Sequence, residues 1–249
     1  MTYCVGLLLD AGMVLLSDTR TNAGLDNIAT YRKMFHFEAP GERIITILTA
    51  GSLSVTQTAL GRLQEAIEDP DACAKTSILL APTMLKVVDI IGNTLASVRQ
   101  EIDHKMNSAK VSTSASMIVA GQRAGGLMRM FLVYPEGNYI EATQDTPYLQ
   151  IGEHKYGKPI LDRVVGPKTS LLDAQKAAIL SMDSTLRSNL SVGMPLDLAV
   201  IERDGCKVSM QRRIEAGDED FARMSRAWSD ALRDGFSQIP LQVATSTRP

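Results

Sequence analysis

The stretch TYCVGLLLDAGMVLLSDTR, residues 2–20, decides how the rest of the chain is read. Tyr3 to Leu9 is an apolar run suited to an extended backbone, and a second, Met13 to Ser17, follows Asp10-Ala11-Gly12. Two apolar runs joined by a short turn containing Gly specify a β-hairpin. With Ala11 at the turn centre, Cys4 falls opposite Asp18 and Thr2 opposite Arg20. Residues two apart on a strand share a face, so Thr2, Cys4, Asp18 and Arg20 are expected on one side, with Asp18 diagonal to Thr2. Two charges on one face of a terminal hairpin need solvent or a purpose, because burying them unpaired is costly. A solvated edge and a reactive site both meet that need.

Outward from the hairpin, a polar loop (Thr19 to Thr30) leads to the alternating run Tyr31 to Phe37, read as a strand bearing Lys33. Arg43 to Ala50 reads as another strand, ended by Gly51. The period then changes. Leu53, Thr56, Leu60, Leu63 and Ile67 recur at helical spacing, and Met84, Val88, Ile91, Leu95, Val98 and Ile102 form a longer stripe after Pro82. Strands are expected at 112–121, 127–133, 138–143 and 148–151, with a turn at Pro135-Glu-Gly137. A short helix at 158–165 precedes another that Ser170 and Asp173 cap. Strands resume at 196–202 and 207–212, and Phe221, Met224, Trp228 and Leu232 mark a final amphipathic helix. Helices arriving in pairs between groups of strands argue against a doubly wound parallel sheet. They fit an α+β, four-layer αββα sandwich with an extra C-terminal helix. Residues 1–236 read as one domain and 237–249 as a flexible tail. The Met84–Ile102 stripe and the Phe221–Trp228 face each suit either a core or a contact between subunits.

Composition bounds the function. The 249 residues, 45% hydrophobic and 22% charged, are those of an ordinary soluble globular domain. A net charge of -2 argues against an electrostatic grip on nucleic acid. No apolar run approaches the ~20 residues that span a bilayer. The N-terminus lacks a secretory pattern, which makes the cytoplasm the expected compartment. Cys4, Cys73 and Cys206 stand apart without a CxxC pair and read as free thiols, Cys4 as a packed small residue. His36, His104 and His154 are scattered, so neither a metal nor a cofactor is expected.

The chemistry gathers at the N-terminus. Removal of Met1 gives Thr2 a free α-amine beside its hydroxyl. An amine with a reference pKa of about 7.7–8.0 is substantially neutral at cellular pH and able to take the hydroxyl proton. Retained Met1 would tie that amine up in an amide. Lys33 on an alternating strand is, taken alone, more often a surface charge; beside Thr2 it would lower the hydroxyl pKa, with Asp18 keeping it charged. Gly51 before a helix offers an N–H to an oxyanion, and a Gly there also serves steric needs.

In combination, Thr2, Ser-Asp18-Thr-Arg20 with Gly24, Arg-Lys33 and Thr-Ala-Gly51-Ser resemble the proteasome β-subunit superfamily of N-terminal-nucleophile hydrolases. The likeness continues through Tyr134-Pro-Glu-Gly137 to about Val208, and Thr2-Tyr-Cys-Val-Gly6 with the extended C-terminus is most similar to the bacterial Anbu branch. The resemblance implies the αββα fold of that class, with Thr2 as nucleophile and its own amine as base. It makes Asp18 and Lys33 electrostatic partners and the Gly51 N–H the oxyanion donor. Arg20, Ser188 and Ser191 become supporting residues, and Thr21, Arg32, Thr49 and Leu53 lie near the first substrate pocket. It further implies a threonine-type peptidase or amidase acting on a peptide or amide, in a homo-oligomer that is ring-like or open and helical. Two departures bear on rate and substrate. The Ser-Gly-Ser element of β-subunits is replaced by Ile151-Gly-Glu-His154, and their Asp by Ser188 ahead of Ser191. Activation is expected through Met removal in place of propeptide cleavage. Two alternatives stand beside the peptidase: a catalytically silent ring, and an amidase for a small or ligated peptide.

Overall fold

In the computed structural model, which describes residues 2–22, 28–106 and 112–241, the N-terminal stretch folds into the expected hairpin. Its strands are β1 (Tyr3–Leu9) and β2 (Gly12–Asp18). The turn is one residue shorter than read from the sequence. Leu9 pairs with Gly12, so Cys4 lies opposite Ser17 and not Asp18. A one-residue slip exchanges the faces of a strand. Cys4 therefore turns into the core between two sheets, and Asp18 comes level with Tyr3, whose N–H donates to its carboxylate.

The loop after β2 holds a small hairpin absent from the sequence reading, β3 (Arg20–Asn22) with β4 (Ile28–Thr30). Gly24 of the family pattern lies outside the described residues, as does Met1. β5 (Met34–Ala39) begins three residues later than the alternation suggests, leaving Lys33 ahead of the strand. The Lys33 side chain is drawn to Asp18 and the Arg20 carbonyl, which takes it out of the strand pattern. Then come β6 (Arg43–Gly51), α1 (Leu53–Glu68), α2 (Met84–Lys105), β7 (Ala115–Arg123), β8 (Arg129–Val133), β9 (Tyr139–Glu141) and β10 (Tyr148–Gly152). The chain continues through α3 (Lys158–Val164), α4 (Leu171–Ser188), β11 (Leu196–Glu202), β12 (Met210–Ile214) and α5 (Glu219–Ser237).

Two five-stranded antiparallel sheets result, ordered β10-β1-β2-β11-β12 and β5-β6-β7-β8-β9. Met13, Leu15, Leu48, Ile118, Met130 and Ala199 interlock between them. On the outer face of the second sheet, Val55, Leu63, Val88, Ile91 and Leu95 of α1 and α2 pack over Ile45, Ile47 and Phe131. The stripe from Met84 to Val98 is thus intramolecular core. The helices α3 and α4 cover the first sheet, and the Tyr3 hydroxyl meets Ser181 of α4 at 3.1 Å. The fold is an α+β, four-layer αββα sandwich.

The start of α4 is set as the sequence suggests: Ser170 Oγ accepts from the Asp173 N–H at 3.1 Å. Ser170→Ala is expected to cost about 1 kcal/mol, as for other N-caps, measured as a lower urea midpoint with unchanged slope.

Residues 1–216 and 217–249 form two compact units. In the second, Asp218 Oδ1 caps α5 by accepting from the Phe221 N–H at 2.8 Å, and no α5 residue is buried. Most of the expected tail lies outside the described residues. Among those described, no helix is long and apolar enough to cross a membrane.

Candidate active site

Thr2 is held in place before any question of chemistry arises. It is 7% exposed, and its carbonyl accepts the Glu153 N–H at 2.7 Å. Next to it, Tyr3 is anchored at both ends. Its N–H donates to Asp18 Oδ1 at 3.1 Å, and its hydroxyl accepts from Gln150 Nε2 at 2.6 Å while meeting Ser181. Burial pushes the Tyr3 phenol up to about 12, so it stays neutral and hydrogen-bonded in working conditions. A fully buried aromatic fixes β1 along its axis, and Thr2 inherits that fixity.

Asp18, at the end of β2, is completely buried. Its Oδ1 accepts from Lys33 Nζ at 2.8 Å and from Tyr3; its Oδ2 accepts from the Gly193 N–H at 3.3 Å. Burial pushes its carboxyl above the usual range, while the Lys33 charge and the three donors pull it back. Lys33 is 5% exposed and donates also to the Arg20 carbonyl at 2.6 Å. A pair this deep survives because both partners are charged, bonded and close; either alone would be expensive. The Lys33 main chain is fixed as well, since its carbonyl accepts the Thr49 N–H at 2.9 Å.

Gly51 closes β6 with φ +101°, and a Cβ there would stand 2.3 Å from the Ser114 carbonyl oxygen. Leu53 follows at the start of α1, half-buried, and Thr49 is buried with its carbonyl 3.6 Å from Cys4 Sγ. Burial pushes the Cys4 thiol far up, which removes it as a nucleophile near neutral pH. Thr21 sits half-exposed on β3. Arg32 is exposed and borders a groove of about 820 Å³ with His36, Gln64, Asp197, Gln211 and Arg213. Thr21, Thr49 and Leu53 do not line that groove. Arg20 donates to the Leu190 carbonyl at 3.0 Å and lies so close over Gly193 that a Cβ would meet its Nε at 2.1 Å.

Asp18 and Lys33 are thus brought together and tied to β1 at Tyr3, the residue after Thr2, with the Arg20 carbonyl holding Lys33. Ser188 and Ser191 are not joined to them. Ser188 is exposed at the end of α4, and the Ser191 hydroxyl donates to Asn189 Oδ1 at 2.7 Å. Two residues at the centre went unassigned in the sequence. Gly193 contributes a main-chain donor to Asp18, which no side chain signals. Glu153 abuts Thr2, and its replacement of a family Ser was the available clue. Among the described residues no group of three or more His, Cys, Asp or Glu is placed to hold a metal.

No protein-family model and no curated protein matches the chain. Solved structures do. Anbu (ancestral beta-subunit) from Yersinia bercovieri is 41% identical over 97% of this chain and 99% of its own, with a TM-score of 0.90. An Anbu (Gly-1) mutant from Hyphomicrobium sp. strain MC1 is 46% identical over 98% and 100%, with a TM-score of 0.90. A third, described as the helical assembly of the Anbu complex from Pseudomonas aeruginosa, is 42% identical over 98% and 100%, again at 0.90.

Proposed function

From membership of the Anbu (ancestral beta-subunit) family, to which this chain belongs, we propose a threonine-type hydrolase of amide bonds, with Thr2 as the N-terminal nucleophile. The observation that carries this reading is the buried Lys33–Asp18 pair, 2.8 Å apart, closed against the first strand through the Tyr3 N–H. A solvated edge would leave those charges in water. Here they are buried and tied to the strand that carries Thr2, and a fixed positive charge near a hydroxyl favours its ionisation.

In the proposed reaction, Thr2 Oγ attacks the substrate carbonyl carbon while the Thr2 α-amine takes the hydroxyl proton. The Gly51 N–H receives the negative charge on the former carbonyl oxygen. Collapse breaks the C–N bond, and the proton held by the α-amine passes to the departing amine. Water then attacks the threonyl ester and gives a proton to the same amine; the acyl C–Oγ bond breaks, the amine returns the proton to Thr2 Oγ, and the acid product leaves. Arg20, Ser188 and Ser191 are assigned supporting parts, and Thr21, Arg32, Thr49 and Leu53 the substrate's first pocket. The subunit, taken as residues 1–236, is proposed to assemble with copies of itself, as the Pseudomonas aeruginosa relative does in its helical assembly.

The test is intact mass spectrometry with and without a threonine-directed epoxyketone or β-lactone. A mass lacking Met1, plus one adduct that is lost completely in Thr2→Ala, is the expected result. Retained Met1, or a processed chain that takes no adduct at high reagent, would leave a catalytically silent assembly. That outcome has one structural feature in its favour: among the described residues neither Ser188 nor Ser191 hydrogen-bonds Asp18, and the Ser191 hydroxyl is given to Asn189. With an adduct in hand, fluorogenic peptides against small amides separate peptidase from amidase.

A further inference from the structure

β10 does more than complete a sheet. The register pairs Tyr3 with Gly152, and one step further brings Glu153 alongside Thr2. The contact is made: the Glu153 N–H donates to the Thr2 carbonyl at 2.7 Å. That bond sets the two main chains side by side, and a glutamate side chain is long enough to reach the Thr2 amine from there. Gly152 permits the approach. Its φ is +81°, and a Cβ there would fall 1.8 Å from the Thr2 carbonyl oxygen.

The Glu153 side chain is half-buried, yet among the described residues it makes no hydrogen bond and no ion pair. The other charged groups around Thr2 are committed. Asp18 and Lys33 hold each other, and Arg20 is turned to the Leu190 carbonyl. On Glu153's own segment, His154 Nδ1 faces the Gly152 carbonyl and Lys155 Nζ lies over the Tyr156 ring at 5.2 Å. A carboxylate partly withdrawn from water without a cation is costly. The group that processing would create next to it is the α-ammonium of Thr2.

We propose that Glu153 is a positioning residue that binds the Thr2 α-ammonium and so holds the base of the reaction in place. The inference rests on the catalytic reading of Thr2. When Thr2 Oγ attacks, its proton moves to the α-amine, and the ammonium so formed is stabilised by the Glu153 carboxylate until the proton leaves with the amine product. A carboxylate favours the protonated form, so the amine titrates higher and the acid limb of activity sits at higher pH.

The experiment follows the Thr2 α-amine directly. The full-length chain, with loss of Met1 verified by intact mass, is labelled with trace acetic anhydride from pH 5 to 10, and Thr2 acylation is read by peptide mass spectrometry. Glu153→Gln, which keeps the side-chain shape, is expected to lower the titration midpoint by about half a unit to one unit. Glu153→Asp restores most of it, and the acid limb of β-lactone adduct formation moves with it. A merely structural role for Glu153 would leave the midpoint where it is. An unchanged midpoint in a chain that still forms the adduct overturns the role of Glu153 alone. A shifted midpoint in a chain that forms no adduct upholds the contact and overturns catalysis. Retained Met1, seen in the mass itself, overturns both.

Discussion

Replacing Lys33 by Ala is expected to abolish adduct formation at Thr2 and to lower stability by about 3–5 kcal/mol near pH 8, the cost of breaking a buried ion pair. Asp18 would keep the N–H groups of Tyr3 and Gly193 but lose its only counter-charge among the described residues, while remaining completely out of water. Burial already holds its carboxyl above the usual range, and Lys33 supplies the strongest opposing pull. Without Lys33 the carboxyl rises further. A group whose folded-state value exceeds its unfolded one, about 3.9 for Asp, contributes full stability below the unfolded value and loses it as pH climbs through the folded one. The deficit of Lys33→Ala should therefore be small near pH 4 and largest at pH 8. Urea unfolding at several pH values reads it directly. A deficit independent of pH would show that Asp18 is not the partner whose charge Lys33 balances.

Gly152→Ala is expected to slow β-lactone adduct formation by about a hundredfold, the scale of loss that a 1 Å misplacement brings. Two effects are superposed. The left-handed backbone, φ +81°, costs an L-residue about 1–2 kcal/mol. Separately, the new methyl would sit 1.8 Å from the Thr2 carbonyl oxygen and 2.7 Å from its carbon, so β1 and β10 must part at Thr2. Gly125→Ala separates the two, because that glycine has φ +69° and nothing within 4 Å of the added Cβ. It should lose similar stability yet react with the β-lactone at the parent rate. Equal reaction rates in both variants would mean that the placement of Thr2 tolerates a displaced β10.

Much of this was legible before any coordinates. The apolar runs of β1 and β2 and the helical stripes of α1 and α2 report burial, and burial is what sequence periodicity records. Register is another matter. Whether Asp10-Ala11 or Asp10-Ala11-Gly12 makes the turn alters the apolar pattern little, but it decides that Asp18 stands level with Tyr3 and not Cys4. The β3–β4 hairpin stayed hidden because its residues, Arg20–Asn22 and Ile28–Thr30, have no sustained alternation. Lys33 fell in an alternating run, and the ion pair that draws it off the strand comes from another sheet. The Gly193 N–H reaches Asp18 from 175 residues away, and a main-chain donor leaves no trace in side-chain type.

The sheet order β10-β1-β2-β11-β12 sets the first-made strand in the interior of its sheet, flanked by one neighbour made immediately and another made only at residues 148–152. Asp18 waits longer, for the amide of Gly193. Loop closure over such separations comes late in folding. The surroundings of Thr2 are therefore completed late: nearly two hundred residues must leave the ribosome before Gly193 can reach Asp18. A chain in the act of being made, with unfolded neighbours exposed at close range, carries the nucleophile proposed above apart from its partners. Timing is encoded in the topology.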